Sequence, residues 1–263
     1  MEEMERNLKL LFPTFRSIFL FILGRYFWIT LNDAHKYRGA WHREIIHGNG
    51  IFKYSNGSIY TGGFHRGLKH GQGHYISSSC YEYDGEWLSG KQTGKAFIKY
   101  KNGDVYDGHV LDGLRSGTGE LFQSHTQRCF KGYWKYNELV GEFKLIDPKF
   151  SFTGSTDQHY NKGNGKISYN DGSEYIGEVV NYQKIGSGIL KLSSGKSISG
   201  DWISDMNVKN ATMIDEHGFV WSGEFKDLKP IGLMKTKRSD GLIYDSYWSK
   251  GQMLKSLGKS FSN

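Results

Sequence analysis

Residues 60–82 read YTGGFHRGLKHGQGHYISSSCYE, and this stretch sets the pattern of most of the chain. It begins with an aromatic residue, a glycine two positions later and a second aromatic residue two positions after that (Tyr60, Gly62 and Phe64). A G-x-G pair begins nine residues after Gly62. Residues at alternate positions share one face of a strand, so the stretch predicts a β-hairpin with one aromatic face.

The same pattern recurs along the chain at intervals of 22 to 24 residues. We expect its glycines to let a neighbouring ring lie flat on the backbone, where a Cβ would clash. The residues that carry the pattern, and that we expect to be structural, are Tyr37, Gly39, Trp41, Tyr60, Gly62, Phe64, Tyr83, Gly85, Trp87, Tyr106, Gly108, Gly132, Trp134, Gly154, Tyr175, Gly177, Gly200, Trp202, Trp221, Gly223 and Phe225.

Most repeats close with a dipeptide that favours a turn, such as Asn56-Gly57 or Asp171-Gly172. These dipeptides indicate two-residue hairpin turns, because both positions tolerate positive φ. The G-x-G segment is then the return strand, with both glycines on the aromatic face. Since one hairpin is too small to be stable alone, stacking must bury its rings. We therefore predict an all-β fold: an elongated, twisted, single-layer antiparallel sheet, a solenoid of stacked hairpins of about 23 residues each.

This pattern resembles the MORN repeat (membrane occupation and recognition nexus), which reads roughly Y-x-G-x-W, a turn rich in Gly and Lys, G-x-G and a closing D-G turn. Residues 60–82 resemble it closely, and the resemblance covers residues 37–248. It implies an extended antiparallel sheet that serves as a scaffold, or as a surface that binds partners or lipids.

The repeat register divides the chain into three regions. Residues 37–248 form about nine and a half repeats, which become irregular at 130–151, where a one-residue shift predicts a bend or bulge. Residues 1–36 are predicted to hold an apolar cap helix, at 14–23, and a degenerate half-repeat. A membrane-associated helix is the alternative there, although its uncharged run is too short to span a bilayer. Residues 249–263 are predicted to be a polar tail.

The charge and the cysteines limit the choice of partners and compartment. The formal net charge is +7, but no run of five or more Lys and Arg occurs, so nucleic-acid binding is not expected. Cys80 and Cys129 lie about two repeats apart, roughly 20 Å at ~4.8 Å per strand, which is too far for a disulfide. We therefore expect free thiols in a reducing, intracellular compartment.

The sequence contains no recognisable catalytic motif. A G-x-S-x-G elbow and a phosphate-binding loop that opens a helix are both missing, and the histidines between His35 and His74 lack the spacing of metal ligands. The segments outside the repeats are too short for an active site. We therefore expect no enzyme, no catalytic residues, no metal, no cofactor and no small-molecule substrate.

Two functions remain open. The first is a non-enzymatic scaffold or adaptor that binds protein partners along the repeat surface. The resemblance further suggests a structural subunit of a cytoskeletal or ciliary assembly, and so a cytoplasmic or cytoskeletal location. The alternative is a peripheral membrane protein that binds anionic phospholipids, such as phosphoinositides, through its apolar N-terminus and its basic turns. The candidate lipid contacts are Arg66, Lys69, Lys91, Lys95 and Arg115.

Overall fold

The computed structural model describes residues 20–157 and 162–261. The chain divides into two compact units, Met1–Glu138 and Leu139–Asn263, which we call unit 1 and unit 2. The described part of each unit consists almost entirely of antiparallel strands, so the predicted all-β class of stacked hairpins is confirmed.

From β1 to β10 each strand of unit 1 pairs with the next one in sequence, which makes a single-layer meander. The strands are β1 (Ile29–Thr30), β2 (Lys36–His42), β3 (Ile45–Lys53), β4 (Ile59–His65), β5 (Leu68–Ile76), β6 (Tyr81–Leu88), β7 (Lys91–Tyr100), β8 (Val105–Leu111), β9 (Leu114–Gln123) and β10 (Arg128–Lys135). A short 3₁₀ turn, Asn32–Ala34, separates β1 from β2.

Unit 2 repeats this arrangement. Its strands are β11 (Glu138–Ile146), β12 (Phe150–Thr156), β13 (Lys162–Tyr169), β14 (Glu174–Val180), β15 (Gln183–Lys191), β16 (Ser197–Ser204), β17 (Asn207–Ile214), β18 (Val220–Lys226), β19 (Lys229–Lys237), β20 (Leu242–Ser249) and β21 (Gln252–Phe261). The boundary between the units falls inside the segment predicted to be irregular, 130–151.

The polar tail predicted at 249–263 is wrong over most of its length. Residues 252–261 form β21, which pairs with β20 through a tight turn at Lys250-Gly251. Strand pairing uses backbone groups, so β21 forms although Met253, Leu254 and Leu257 stay largely exposed. The tenth hairpin is therefore complete.

Tyrosine rings lie flat on glycine backbones along the aromatic face. Tyr60 is fully buried, and a Cβ added at Gly73 would lie 2.3 Å from its hydroxyl. A Cβ at Gly62 would lie 2.5 Å from the Cα of Gly73. The Tyr60 hydroxyl donates a hydrogen bond to the carbonyl of Gly63, 2.9 Å away. The glycines thus provide room for the ring, and the hydroxyl fastens it to its own strand.

The sequence predicts that both glycines of each G-x-G pair lie on this face. The structure shows that they do not. The first glycine of the pair has positive φ, for example +71° at Gly71 and +64° at Gly94, and it lies at a register shift of the hairpin. Such a bulge favours glycine because other residues rarely adopt this backbone conformation. Only the second glycine, such as Gly73, lies under the ring.

The closing dipeptides mark real turns, but not two-residue turns. At Asn56-Gly57 only the glycine has positive φ, and its N–H donates to the carbonyl of Tyr54 in a wider loop. The two-residue turns lie at the opposite end of each hairpin, as at Ser89-Gly90, where φ is +50° and +87°. The N–H of Gly90 donates to the carbonyl of Lys69 in the preceding hairpin, 2.8 Å away, so successive turns are fixed to one another.

The N-terminal region meets the first full repeat. Residues 20–23 are helical, and the carbonyl of Gly24 accepts the N–H of Gly39 at 2.7 Å. Gly24 lies against Trp41, whose buried indole N–H has no acceptor among the described residues. Most of the predicted cap helix lies outside the described residues, so the cap stays a prediction. Over the described ranges no helix is long and apolar enough to cross a bilayer.

Candidate partner-binding face

In several hairpins one position places a side chain on the aromatic face beside the rings. It lies five residues after the second aromatic position and pairs with it across the hairpin, as in Phe64 with Lys69 and Val110 with Arg115. In unit 2 the equivalent residue is Lys184. Directly paired residues project to the same side of a sheet, so all three cations lie over the stacked rings.

Lys69 lies inside a cage of four rings. Its Nζ is 4.0 Å from the ring centroid of Trp87 and 4.8 Å from that of Tyr75. Tyr60 and Tyr54 follow at 5.5 and 5.6 Å. Burial lowers the pKa of Lys69 to about 8, while the ring faces attract the ammonium form and oppose this effect. The described residues supply no carboxylate within ion-pair distance of it.

The cage shows that the aromatic face is concave. Lys69 stands at the start of β5 and Tyr75 six residues later, roughly 20 Å away along a straight strand. Because both side chains meet, the strand must curve around the face. We call the resulting concavity of unit 1 the aromatic groove. Its lining includes Lys69, Gln92, Arg115 and four half-buried tyrosines, namely Tyr54, Tyr75, Tyr81 and Tyr100.

Arg115 is the second cation of the aromatic groove. Its guanidinium lies 4.6 Å from the ring centroid of Trp134, and its Nη2 donates to the carbonyl of Asn137 at 2.9 Å. Its positive charge also acts on the hydroxyl of Tyr100, whose pKa is raised by burial and lowered in part by this cation. The buried Nε has no acceptor among the described residues.

A cavity of about 540 Å³ opens beside Arg115. One carboxylate lies in it, that of Asp104, whose oxygens accept the N–H of Ser124 at 2.8 Å and the amide of Asn102 at 2.9 Å. The lining residues are Cys80, Tyr100, Lys101, Asn102, Asp104, Arg115 and Asn137.

Gln92 occupies the equivalent position in the hairpin between the two cations. It is buried, and its amide donates to the hydroxyl of Tyr81 at 3.2 Å. Three successive hairpins of unit 1 therefore present a cation, a neutral amide and a cation.

The cation of unit 2 is neutralised within the chain. The Nζ of Lys184 lies 3.5 Å from Oδ1 of Asp205 and donates to the hydroxyl of Tyr169 at 3.0 Å. Its ammonium also lies over the ring of Trp202, at 5.5 Å. Only 6% of the Lys184 side chain is exposed. Lys184 is thus balanced by a carboxylate, a hydroxyl and the rings. In unit 1 Lys69 contacts rings alone, and Arg115 contacts rings and neutral groups.

The structure does not bring the five candidate lipid contacts together. Lys69 and Arg115 face the aromatic groove, whereas Arg66 lies in a tight turn. Lys91 forms an exposed ion pair with Asp112 at the turn edge. Lys95 is exposed and follows the bulge, next to the inward-facing Ala96, so it projects to the opposite face. The five cations therefore lie on three different surfaces.

A row of histidines lies near the turns of the first two repeats. The ring centroids of His42, His47, His65 and His70 follow one another at 5.8, 5.0 and 5.5 Å. Burial, and then the charges of His47, Arg66 and His70, lower the pKa of His65. Within the described ranges no group of three or more His, Cys, Asp or Glu side chains is arranged to hold a metal ion.

The sequence predicts Lys69 and Arg115 only as turn cations. The tyrosines of the aromatic groove, Gln92, Lys184 and Asp205 carry no motif that marks them as site residues. A usable signal was the position five residues after the second aromatic residue, which is polar in several repeats although it faces the rings. The curvature that makes this position part of a groove has no such signal.

Hairpins of equal length, with rings stacked on the glycines of the strands beside them, define a β-repeat protein. The sequence profile of the MORN repeat family matches four consecutive segments, residues 37–59, 60–79, 83–105 and 106–126. Residues 37–126 of unit 1 are therefore MORN repeats.

No curated protein matches the chain. Among solved structures it is similar to the G-box domain of the microcephaly protein CPAP, with 13% identity, a TM-score of 0.42 and coverage of 82% of this chain and 100% of that one. It is also similar to the TCP domain of Drosophila melanogaster SAS-4 (dCPAP), solved with a proline-rich motif of Ana2, with 14% identity, a TM-score of 0.33 and coverage of 73% and 84%. For the TCP10 domain of Danio rerio CPAP the identity is 10%, the TM-score 0.32 and the coverage 90% and 100%.

Proposed function

We propose that this protein is a non-enzymatic scaffold that binds protein partners in the aromatic groove of unit 1. The observation that carries this proposal is the combination of half-buried tyrosines with two cations that lack carboxylate partners, on one concave face. Tyr, Trp and Arg are the residues that contribute most to protein–protein binding energy.

The groove is also rigid before any partner arrives. The tight turns at Gly67, Gly90 and Gly113 donate hydrogen bonds to the preceding hairpin, as Gly67 does to Ile46 at 2.9 Å. Beneath the groove, the hydroxyl of the buried Tyr60 donates to its own strand. A preformed site loses little conformational entropy on binding, which favours affinity.

A scaffold role in a cytoskeletal or ciliary assembly is consistent with the MORN repeats. Cys80 and Cys129 are both free thiols, as expected for a protein of a reducing, intracellular compartment. We propose that the perturbed tyrosines serve the fold and not catalysis, because burial against glycine backbones raises the pKa of residues such as Tyr60 and Tyr83.

Affinity purification with matched variants tests the proposed function. Tyr75→Ala removes a ring of the aromatic groove, whereas Phe97→Ala removes an exposed ring next to the inward-facing Ala96 and Ile98 and thus on the opposite face. We expect proteins that co-purify with the wild-type chain to be lost with Tyr75→Ala and retained with Phe97→Ala, in quantitative mass spectrometry. Retention of the same proteins by both variants would contradict the proposal.

Binding to anionic phospholipids is the competing prediction. Co-sedimentation of the full chain with phosphatidylserine or phosphoinositide vesicles, at physiological salt, distinguishes the two. Sedimentation that survives Tyr75→Ala and is lost when Arg66, Lys91 and Lys95 are replaced by Gln would favour a membrane surface over the aromatic groove.

A further inference from the structure

We propose that the aromatic groove recognises an extended acidic segment of a protein partner that carries two carboxylates about six residues apart. This inference rests on the proposed function and specifies the chemistry of the partner. It follows from the charges of the groove and from the spacing of its cations.

The charges of the groove call for an anionic ligand. Among the described residues neither Lys69 nor Arg115 has an ion-pair partner, and Arg115 lines an open cavity. A charge that is partly withdrawn from water without a counterion is costly, so a carboxylate that reaches these cations contributes to binding. The planar guanidinium suits a carboxylate, which can accept from more than one of its N–H groups.

The acid already present in the groove does not fill this role. The oxygens of Asp104 are engaged by Ser124 and Asn102, and no ion pair joins Asp104 to Arg115 among the described residues. Lys101, on the same cavity, adds a further positive charge. The cavity beside Arg115 therefore remains suited to a carboxylate from outside.

Unit 2 contains an internal version of the proposed contact. Lys184 stands at the groove position of its hairpin, and Asp205 from the following turn places Oδ1 3.5 Å from its ammonium. A carboxylate over the stacked rings is thus compatible with this architecture. In unit 1 the turn that follows Lys69 holds Ser89 and Gly90, neither of which carries a carboxylate, so the place beside Lys69 is left to a ligand.

The spacing of the two cations sets the spacing of the carboxylates. Lys69 and Arg115 are two hairpins apart, which is four strand separations or ~19 Å. An extended chain advances ~3.1 to 3.3 Å per residue, so about six residues cover this distance. The ligand residue midway, about three from each acid, lies near Gln92, which is neutral.

Short synthetic peptides test the proposal with the full chain. The probe is a fluorescent 13-residue peptide of Ser and Pro that carries two Glu residues six positions apart. One matched peptide has Gln at both positions, and another has the two Glu residues three positions apart. We expect fluorescence anisotropy to show that the first peptide binds at least about tenfold more tightly than the Gln peptide, and more tightly than the peptide with the shorter spacing.

Variants of the chain locate the binding site. Lys69→Gln and Arg115→Gln should each weaken binding of the first peptide by about tenfold, because each removes one charge-assisted contact. Lys69→Arg, which retains the charge, should bind within a few-fold of the wild type. Lys95→Gln is the matched control, since it removes one charge from the opposite face of unit 1, and it should leave binding unchanged.

Several outcomes would overturn the inference. Equal affinity for the Glu and Gln peptides, or unchanged binding after both groove substitutions, would show that the groove does not recognise carboxylates. Equal affinity for the two Glu peptides would contradict the proposed spacing of six residues. Displacement of the peptide by anionic vesicles but not by acidic proteins would indicate that the groove binds a membrane surface. If a groove variant does not fold, the relative affinities of the three peptides for the wild-type chain still test the proposal. Loss of co-purified proteins with Tyr75→Ala, without binding of any peptide, would leave the proposed function standing and refute only this inference.

Discussion

Units 1 and 2 share the same ring-and-glycine packing and differ in how they treat the cation over it. A Cβ at Gly73 of unit 1 or Gly188 of unit 2 would lie 2.3 and 2.2 Å from the hydroxyl of the tyrosine above it. In both units an indole N–H donates to that glycine's carbonyl, from Trp87 at 3.3 Å and from Trp202 at 3.0 Å. The packing is thus common to both, and the chemistry of the groove position is not.

This difference separates what the fold requires from what it leaves free. The fold requires a ring, the glycines beneath it and a positive φ at the bulge. It accepts Lys, Gln, Arg or Ile at the groove position, as Lys69, Gln92, Arg115 and Ile46 show. A position that the fold leaves free can be used for recognition, and unit 1 presents its cations without the internal carboxylate that unit 2 provides.

The largest expected effect tests the shared packing. Trp87→Ala and Trp202→Ala each remove a buried indole and a hydrogen bond, so we expect each to destabilise its own unit by about 3 to 5 kcal/mol. Urea denaturation, with hydrogen exchange to follow each unit separately, measures this. A loss below about 1 kcal/mol in either unit would show that the two packings are not equivalent.

Glycine substitutions test the same packing from below the rings. Gly73→Ala and Gly188→Ala introduce a Cβ that must displace a tyrosine hydroxyl, and we expect each to cost about 3 kcal/mol through overpacking. Gln72→Ala, at the exposed neighbouring position, is the control and should change the free energy of unfolding by less than about 0.5 kcal/mol. An equal effect of Gly73→Ala and Gln72→Ala would disprove the role of the glycine.

Much of this packing could be predicted from the sequence, because it depends on residue type at a fixed period. The register of Tyr60, Gly62 and Phe64 predicts the hairpin and its aromatic face. The positive φ of Gly71 could not be separated from the ring contact of Gly73, since both functions select glycine. Strand β21 was missed because residues 252–261 lack the G-x-G pair of the other return strands.

The candidate site was less predictable for a geometric reason. Lys69 meets Tyr75 and Tyr54 only because the strands curve, and the G-x-G pairs that mark the bulges do not give the degree of curvature. Lys184 and Asp205 lie 21 residues apart, and their ion pair depends on how one turn stacks on the preceding hairpin. The sequence therefore indicates the cations but not which of them share a groove.

The third prediction concerns a variant in which the lysine of unit 2 loses its carboxylate partner, so that it resembles the cations of unit 1. Asp205→Asn removes the carboxylate from Lys184, and because Asp205 also accepts the N–H of Lys184 at 2.7 Å, we expect a loss of about 2 kcal/mol. The buried ammonium then lacks a counterion, so the double variant Lys184→Met with Asp205→Asn should recover part of this loss. Thermal unfolding of both variants measures the effect, and a double variant less stable than Asp205→Asn would contradict the explanation.

The smallest expected effect is the pH dependence of unit 1. The pKa of Lys69 is lowered to about 8 in the folded chain, against 10.5 for an ordinary lysine. Between these values the unfolded chain holds a proton that the folded chain has lost, so the free energy of unfolding rises with pH through this window and falls as pH drops through 8. The rise should stay well below the ~1.4 kcal/mol per pH unit of a full proton, because the half-exposed ammonium is screened and the rings favour its charged form.

Lys69→Met isolates this contribution, since it keeps the packing and removes the titration. The difference in stability between wild type and variant should change between pH 7.5 and 9.5. This range avoids the effect of the tyrosines, which appears at higher pH. There the unfolded chain loses tyrosine protons that the folded chain keeps, because the pKa of residues such as Tyr54 is raised to about 12. Over the same range binding of the Glu peptide to the wild type should weaken as the ammonium is lost. Parallel stability curves for wild type and Lys69→Met would show that the cation in the ring cage keeps its ordinary pKa, and the ring faces would then compensate fully for burial.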